Sequence, residues 1–195
     1  MKSESSRSRL PNDVSEEDLQ KKSLQIAHDL GGLGRRIERG DETDLLIWVI
    51  PRILACSHRP LRHHRIYGGS GRNLTADATP LLFEWTTKMR ASGIKSIISL
   101  MHDKELAYYS SLDLGAPDLI GFYTSQGFEV RKITWEDPAH SRTSRILIQE
   151  KLSEVRTLVL EAFDALPKPA LLHCSAGIDR SSPVAAFLAV HGERG

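Results

Sequence analysis

Apolar residues along the chain fall into two patterns. Short continuous runs occupy Leu45 to Ile50, Ile53 to Cys56, Ile94 to Met101, Phe128 to Thr134 and Pro169 to Cys174. Runs of this length, bounded by polar or turn residues, have the signature of buried strands. Between them apolar residues recur three or four apart, the period of a helix with one buried face. Pro80 to Arg90 carries Leu81, Leu82, Trp85 and Met89 on one side and is ended by Gly93. Asp103 to Leu112 and Asp118 to Gln126 are shorter helical pieces. Ser144 to Leu166 predicts a long helix with a stripe of Ile146, Ile148, Leu152, Val155, Leu158, Val159, Ala162 and Phe163. Ser181 to His191 predicts a last helix, closed by Gly192. Strands alternating with helices predict an α/β fold with a central, largely parallel sheet flanked by helices. A ligand is then expected beyond the carboxyl ends of the strands.

The first forty residues differ in character. Ser3 to Asn12 has the polar composition of a disordered arm. Ser15 to Leu30 predicts a helix, with Ser15 and Asp18 spaced like a capping box and a partial stripe of Leu19, Leu24, Ile26, Ala27 and Leu30. Gly31, Gly32 and Gly34 are expected to end it. No strand precedes these glycines, so they are not a nucleotide loop. The chain therefore divides into a polar, partly helical extension, 1–40, and a domain, 41–195, whose last helix is short enough to suggest truncation.

Composition narrows the function classes. The 195 residues hold 26 Lys and Arg against 25 Asp and Glu, a net charge of +1, which argues against nucleic-acid or membrane binding through bulk charge. An apolar content of 40% is enough for a real core. No apolar run approaches membrane-spanning length, and MKSESSRSRL lacks the apolar centre of a signal peptide. A cytoplasmic location is expected, and two cysteines do not make a disulfide framework. Oligomeric state is not legible.

The densest chemistry lies at His173-Cys174-Ser175-Ala176-Gly177-Ile178-Asp179-Arg180-Ser181, between an expected strand and an expected helix. A thiol becomes a good nucleophile when a helix N-terminus, cations or hydrogen-bond donors stabilise its anion. The loop amides and the positive end of the following helix supply donors for an anion. Arg180 adds a permanent charge and a flat fork suited to two phosphoryl oxygens. Gly177 lets the backbone turn and approach a phosphate closely.

This H-C-x-x-G-x-x-R-S segment resembles the signature loop of the cysteine-dependent protein phosphatases, the tyrosine and dual-specificity family. IWVIPRILACSHRP resembles the opening strands of the small atypical dual-specificity members, HRIYGGSGRN their next strand and turn, and GIKSIISL a further strand. The resemblance spans roughly Leu45 to Val190. It implies that Cys174 attacks phosphorus to form a phosphocysteine intermediate, which water then hydrolyses. It implies that Arg180 binds the phosphoryl group with the loop Ser175, Ala176, Gly177, Ile178 and Asp179. Ser181 is expected to donate to the Cys174 sulfur and to assist breakdown of the intermediate, and His173 to orient the loop. The family carries its general acid on a loop roughly thirty to forty residues upstream, where Trp135-Glu136-Asp137-Pro138 stands. Asp137 is the first candidate and Glu136 the second. Asp179 competes, as a brace for the loop or as an acid in its own right. G-x-D-R resembles the loop of certain bacterial members that take phosphotyrosine, phosphoserine and phosphoinositides, but Ile178 stands where they usually have Lys.

The resemblance implies a phosphorylated protein as substrate, with phosphotyrosine and phosphoserine or phosphothreonine both accepted, and neither metal nor cofactor. Two alternatives stay open: an inositol-phosphate or RNA 5′-phosphate phosphatase on the same fold, and a phosphate-binding module without turnover. Arg52, Arg59, Arg62, Arg65 and Arg72, interleaved with His58, His63 and His64 and with no acidic residue, form either a basic rim that attracts substrate or a solvated strand edge. These histidines lack the further residues of a metal set. Cys56 is either a packed strand residue or, if its strand neighbours the one bearing Cys174, a partner for a reversible disulfide.

Overall fold

A computed structural model of the chain describes residues 15–138 and 144–192. Residues 3–12, expected as a disordered arm, lie outside the described residues. Five strands, β1 (Ile47–Ile50), β2 (Leu54–Ser57), β3 (Ser96–Ser99), β4 (Glu129–Lys132) and β5 (Ala170–His173), form one sheet in the order β1-β2-β5-β3-β4. All pairs are parallel except β1 with β2. The expected α/β architecture with a largely parallel sheet is present. Among the described residues six α-helices accompany it: α1 (Glu16–Glu38), α2 (Thr79–Ala91), α3 (Asp103–Leu106), α4 (Leu119–Ser125), α5 (Arg145–Ala165) and α6 (Ser181–Gly192).

The central strands β2, β3 and β5 are buried at every position, because both faces are covered. Successive side chains alternate between the two layers. Cys56, Ile98 and Leu172 join a core with residues of α1, α5 and α6. Ala55, Ile97 and Leu171 join the opposite core with residues of α2 and α4. The start of α5 and the end of α2 follow the sequence closely. Gly93, at φ +86°, ends α2, with its N–H donating to Arg90 O and that of Ile94 to Met89 O. The Ser144 hydroxyl accepts from Leu147 N–H at the start of α5. Of the stripe expected on α5, Val155, Val159, Ala162 and Phe163 are buried, whereas Ile146 and Leu158 face outward.

Three expectations need correction. The glycines at 31, 32 and 34 do not end the first helix, which continues to Glu38. Nor is that helix an extension outside the domain: Ile26, Leu30, Leu33 and Ile37 are core residues packed with α6 and the sheet. Together with α5 and α6, α1 covers that face of the sheet. Residues 64–73 form turns rather than a strand and turn, because hydrogen bonds such as Gly68 N–H to His64 O and Gly69 N–H to Arg62 O fold them on themselves. No helix among the described residues is long and apolar enough to cross a membrane.

Candidate active site

The central strand β5 delivers His173 and Cys174 to the carboxyl edge of the sheet, and α6 begins at Ser181 directly after the loop 175–180. Cys174 is 2% exposed, and its sulfur accepts the Gly177 N–H at 3.2 Å. Gly177 has φ +77°, a region that favours glycine. A Cβ there would also stand 3.0 Å from Leu30 Cδ1 and 3.2 Å from Ser57 O. The loop is stapled to α6 by the Ser182 hydroxyl, which donates to Gly177 O at 2.8 Å.

His173 is fully buried. Its Nδ1 lies 3.0 Å from Cys174 O, which can only accept, so Nδ1 carries the hydrogen and Nε2 accepts from Tyr123 Oη at 3.3 Å. Burial pushes its imidazole down to about 4, so the ring works as a neutral strut.

Arg180 is 1% exposed and held from several sides. Nη1 and Nη2 make a two-pronged contact with Glu105, at 2.7 and 2.5 Å. Nη1 also meets Trp135 O at 2.9 Å and Leu100 O at 3.3 Å. Burial opposes the guanidinium charge, but the Glu105 bonds and the thiol of Cys174 prevail and hold it more firmly protonated than an ordinary arginine. Burial likewise pushes the Glu105 carboxyl up, yet the Arg180 hydrogen bonds and charge win and keep it below its ordinary range. Glu105 does a second job. Its Oε2 accepts the His102 N–H at 2.8 Å in the capping box of α3, which fixes the carboxylate from behind.

Two buried polar atoms at the loop have no partner, the Arg180 Nε and the Ser181 Oγ. The expected Ser181–Cys174 hydrogen bond is therefore not formed, and Gly177 N–H is the donor to the sulfur instead. Asp137 Oδ2 lies 3.8 Å from Arg180 Nη2, with its side chain largely covered. Glu136 turns outward, 60% exposed and 3.9 Å from Lys104. Of the two upstream candidates, Asp137 rather than Glu136 faces the loop arginine. Ile178 and Asp179 are exposed, and Ser175 and Ala176 half-buried. Ser175, Asp137, Glu105 and Tyr108 border an open cleft of about 260 Å³.

The basic segment is neither a uniform rim nor a uniform edge. Arg52, Arg65 and Arg72 are exposed, but Arg59 is 2% exposed and turned toward the loop. Its Nε donates to Ser175 Oγ at 3.2 Å, its Nη1 to Tyr109 Oη at 3.2 Å and its Nη2 to Gly69 O at 3.0 Å. Cys56 is a free, fully buried thiol on β2, beside β5. It registers with Leu172, two positions before Cys174, so the two thiols share one face of the sheet. Two positions along a strand amount to roughly 6.6 Å. A disulfide between them would need the backbone after His173 to move. Burial and the neighbouring Cys174 push the Cys56 thiol up, which keeps it protonated and unreactive.

Glu105 and Tyr123 were not singled out by the sequence, and Arg59 and His58 were named there only as members of the basic segment. His102 and Glu105 have the spacing of a capping box, which marks a helix start but not a partner for Arg180 at a separation of 75 residues. Comparison of the chain with models of known protein families gave no match, and comparison with curated proteins gave none either.

Proposed function

We propose that the protein is a cysteine-dependent phosphatase of the dual-specificity type, acting on phosphorylated proteins. One observation carries this reading. A buried thiol sits in a loop whose arginine has one edge of its fork occupied by Glu105 while its Nε is buried without a partner. A guanidinium edge left open in this way suits an incoming tetrahedral anion, since a buried donor without an acceptor is costly. The Ser181 hydroxyl, likewise unpartnered, suits the same anion or the sulfur.

In this reading the Cys174 sulfur attacks phosphorus, and the leaving oxygen takes its proton from Asp137. Water then attacks the phosphocysteine, Asp137 takes a proton from that water, and orthophosphate leaves as the thiolate returns. Gly177 N–H and the positive end of α6 stabilise the sulfur anion in both steps. Arg180 spreads the charge of the equatorial oxygens.

The inositol-phosphate and RNA 5′-phosphate reading is less well supported. A multiply phosphorylated ligand needs uncommitted cations, whereas Arg59 is engaged by Ser175, Tyr109 and Gly69, and Lys104 stands beside Glu136. The test is hydrolysis of p-nitrophenyl phosphate in EDTA by wild type and Cys174→Ser. Turnover by wild type alone is expected. A folded wild type without turnover would leave the phosphate-binding module as the better account.

A further inference from the structure

The residue after β2, His58, is 5% exposed and touches two distant parts of the chain. Its Nδ1 lies 2.6 Å from Ala176 O in the loop, and its Nε2 lies 2.9 Å from Leu30 O in the middle of α1. The flanking residues follow the same loop. Arg59 N–H donates to Ser175 O at 2.9 Å, and Ser57 O stands 3.2 Å from where a Cβ on Gly177 would be. Gly34 of α1 makes room for the neighbouring His63. A Cβ on Gly34 would stand 2.9 Å from the ring of His63, which packs edge-on against His58 with centroids 4.2 Å apart.

The consequence concerns one peptide unit. The carbonyl of Ala176 and the N–H of Gly177 belong to the same plane and point in opposite directions. The carbonyl is taken by His58, and the N–H donates to Cys174 Sγ at 3.2 Å. Rotating this plane would break both contacts together, and each bond polarises the group that makes the other. We propose that His58 is a positioning residue for the thiolate: it holds the Ala176–Gly177 peptide so that its N–H faces the Cys174 sulfur. This extends the phosphatase reading and depends on the same loop.

The neutral ring has one hydrogen for two carbonyls. Burial, together with His63 and Arg62, pushes His58 down to about 4, while Glu38 is bonded to His63 rather than to His58. The shorter contact assigns that hydrogen to Nδ1 and hence to Ala176. The side chains of Asn and Gln separate the two contacts. Asn carries an N–H near the place of Nδ1, and Gln near that of Nε2.

The test is the rate of Cys174 alkylation by iodoacetamide as a function of pH, with and without inorganic phosphate, in wild type, His58→Leu, His58→Asn and His58→Gln. Cys174→Ser supplies the background from Cys56. Arg180 and Cys56 interact with the sulfur, Glu105 and Asp137 lie against Arg180, and all four are unchanged throughout, so a difference among these variants belongs to the peptide. In His58→Leu the half-maximal pH is expected to rise by about one unit. Protection by phosphate should weaken about tenfold. His58→Asn should behave like wild type and His58→Gln like His58→Leu. A folded His58→Leu with the wild-type profile overturns the proposal, as does an Asn variant shifted as far as Leu. Should His58→Leu not fold, equal profiles for Asn and Gln overturn it. Aryl phosphate turnover by wild type in the same samples separates the two readings. Its absence counts against the phosphatase, whereas turnover with unaltered profiles counts against His58 alone.

Discussion

Arg180 concentrates the risk at the scale of single residues, because it is a charge almost wholly removed from water. Replacing Glu105 with Gln leaves that charge without its carboxylate. Chemical unfolding should show a loss of about 3–5 kcal/mol. The Glu105 carboxyl is held below its ordinary value of 4.5, so its contribution is present above that pH and is lost as pH falls through the lower folded value. Glu105→Gln should therefore flatten the acid limb of the stability curve. His173 acts at higher pH and with the opposite charge. Folded, it stays neutral down to about 4; unfolded, it takes a proton near 6.5. The unfolded chain thus binds the extra proton in that window, and stability falls as pH drops from 6.5 toward 4, by up to about 1.4 kcal/mol per pH unit for this group. Urea midpoints of wild type and His173→Asn across this range check the slope, which the variant should reduce. Catalysis isolates Asp137. Asp137→Asn should lower kcat for an aryl phosphate by about 10²–10⁴-fold, and Glu136→Gln should leave it close to wild type. Comparable losses in both would sink the assignment. Cys174 and Arg180 stood out in the sequence because they share one short motif, and Asp137 because of its distance from that motif. Glu105 and His58 did not, because their partners lie 75 and 118 residues away.

Among the elements, α1 shows where pattern and packing part company. Its glycines lower helix propensity, and the sequence alone favoured a stop there. The helix continues because Leu33, among the glycines, and Ile37, beyond them, bury apolar surface, and because Gly34 admits the His63 ring. Gly34→Ala tests this account directly. An alanine gains roughly 1 kcal/mol of helix propensity, so a stabilised variant would refute the contact. The expected result is a lower thermal midpoint, with the bond between His63 and Glu38 disturbed. Leu30→Ala should cost about 2–4 kcal/mol and should also slow turnover, since Leu30 Cδ1 supports Gly177. For α2, α4 and α5 the pattern placed the helix, helped by Gly93 after α2 and the Asp118 and Ser144 caps of α4 and α5, although Ile146 and Leu158 of the α5 stripe face outward.

At the level of the whole molecule, covering the sheet on both faces predicts how the protein opens. If α1 belongs to the same cooperative unit as β5, amides of residues 26–37 should exchange hydrogen only through the global unfolding seen for residues 170–173. Exchange from residues 26–37 by a separate, easier opening would make α1 a detachable arm. The sequence by itself determined the alternation of strands and helices, the loop between the last strand and the last helix, and the residues of that loop. Local period, turn chemistry and motif spacing are properties of neighbouring residues, so they are written in the order of the chain. Only the tertiary structure decided that β5 stands between β2 and β3, that α1 belongs to the core, that Asp137 rather than Glu136 faces Arg180, and that Glu105 and His58 brace the loop. Each is a contact between segments far apart in sequence, chosen by how burial and hydrogen bonding are satisfied together once the sheet has assembled.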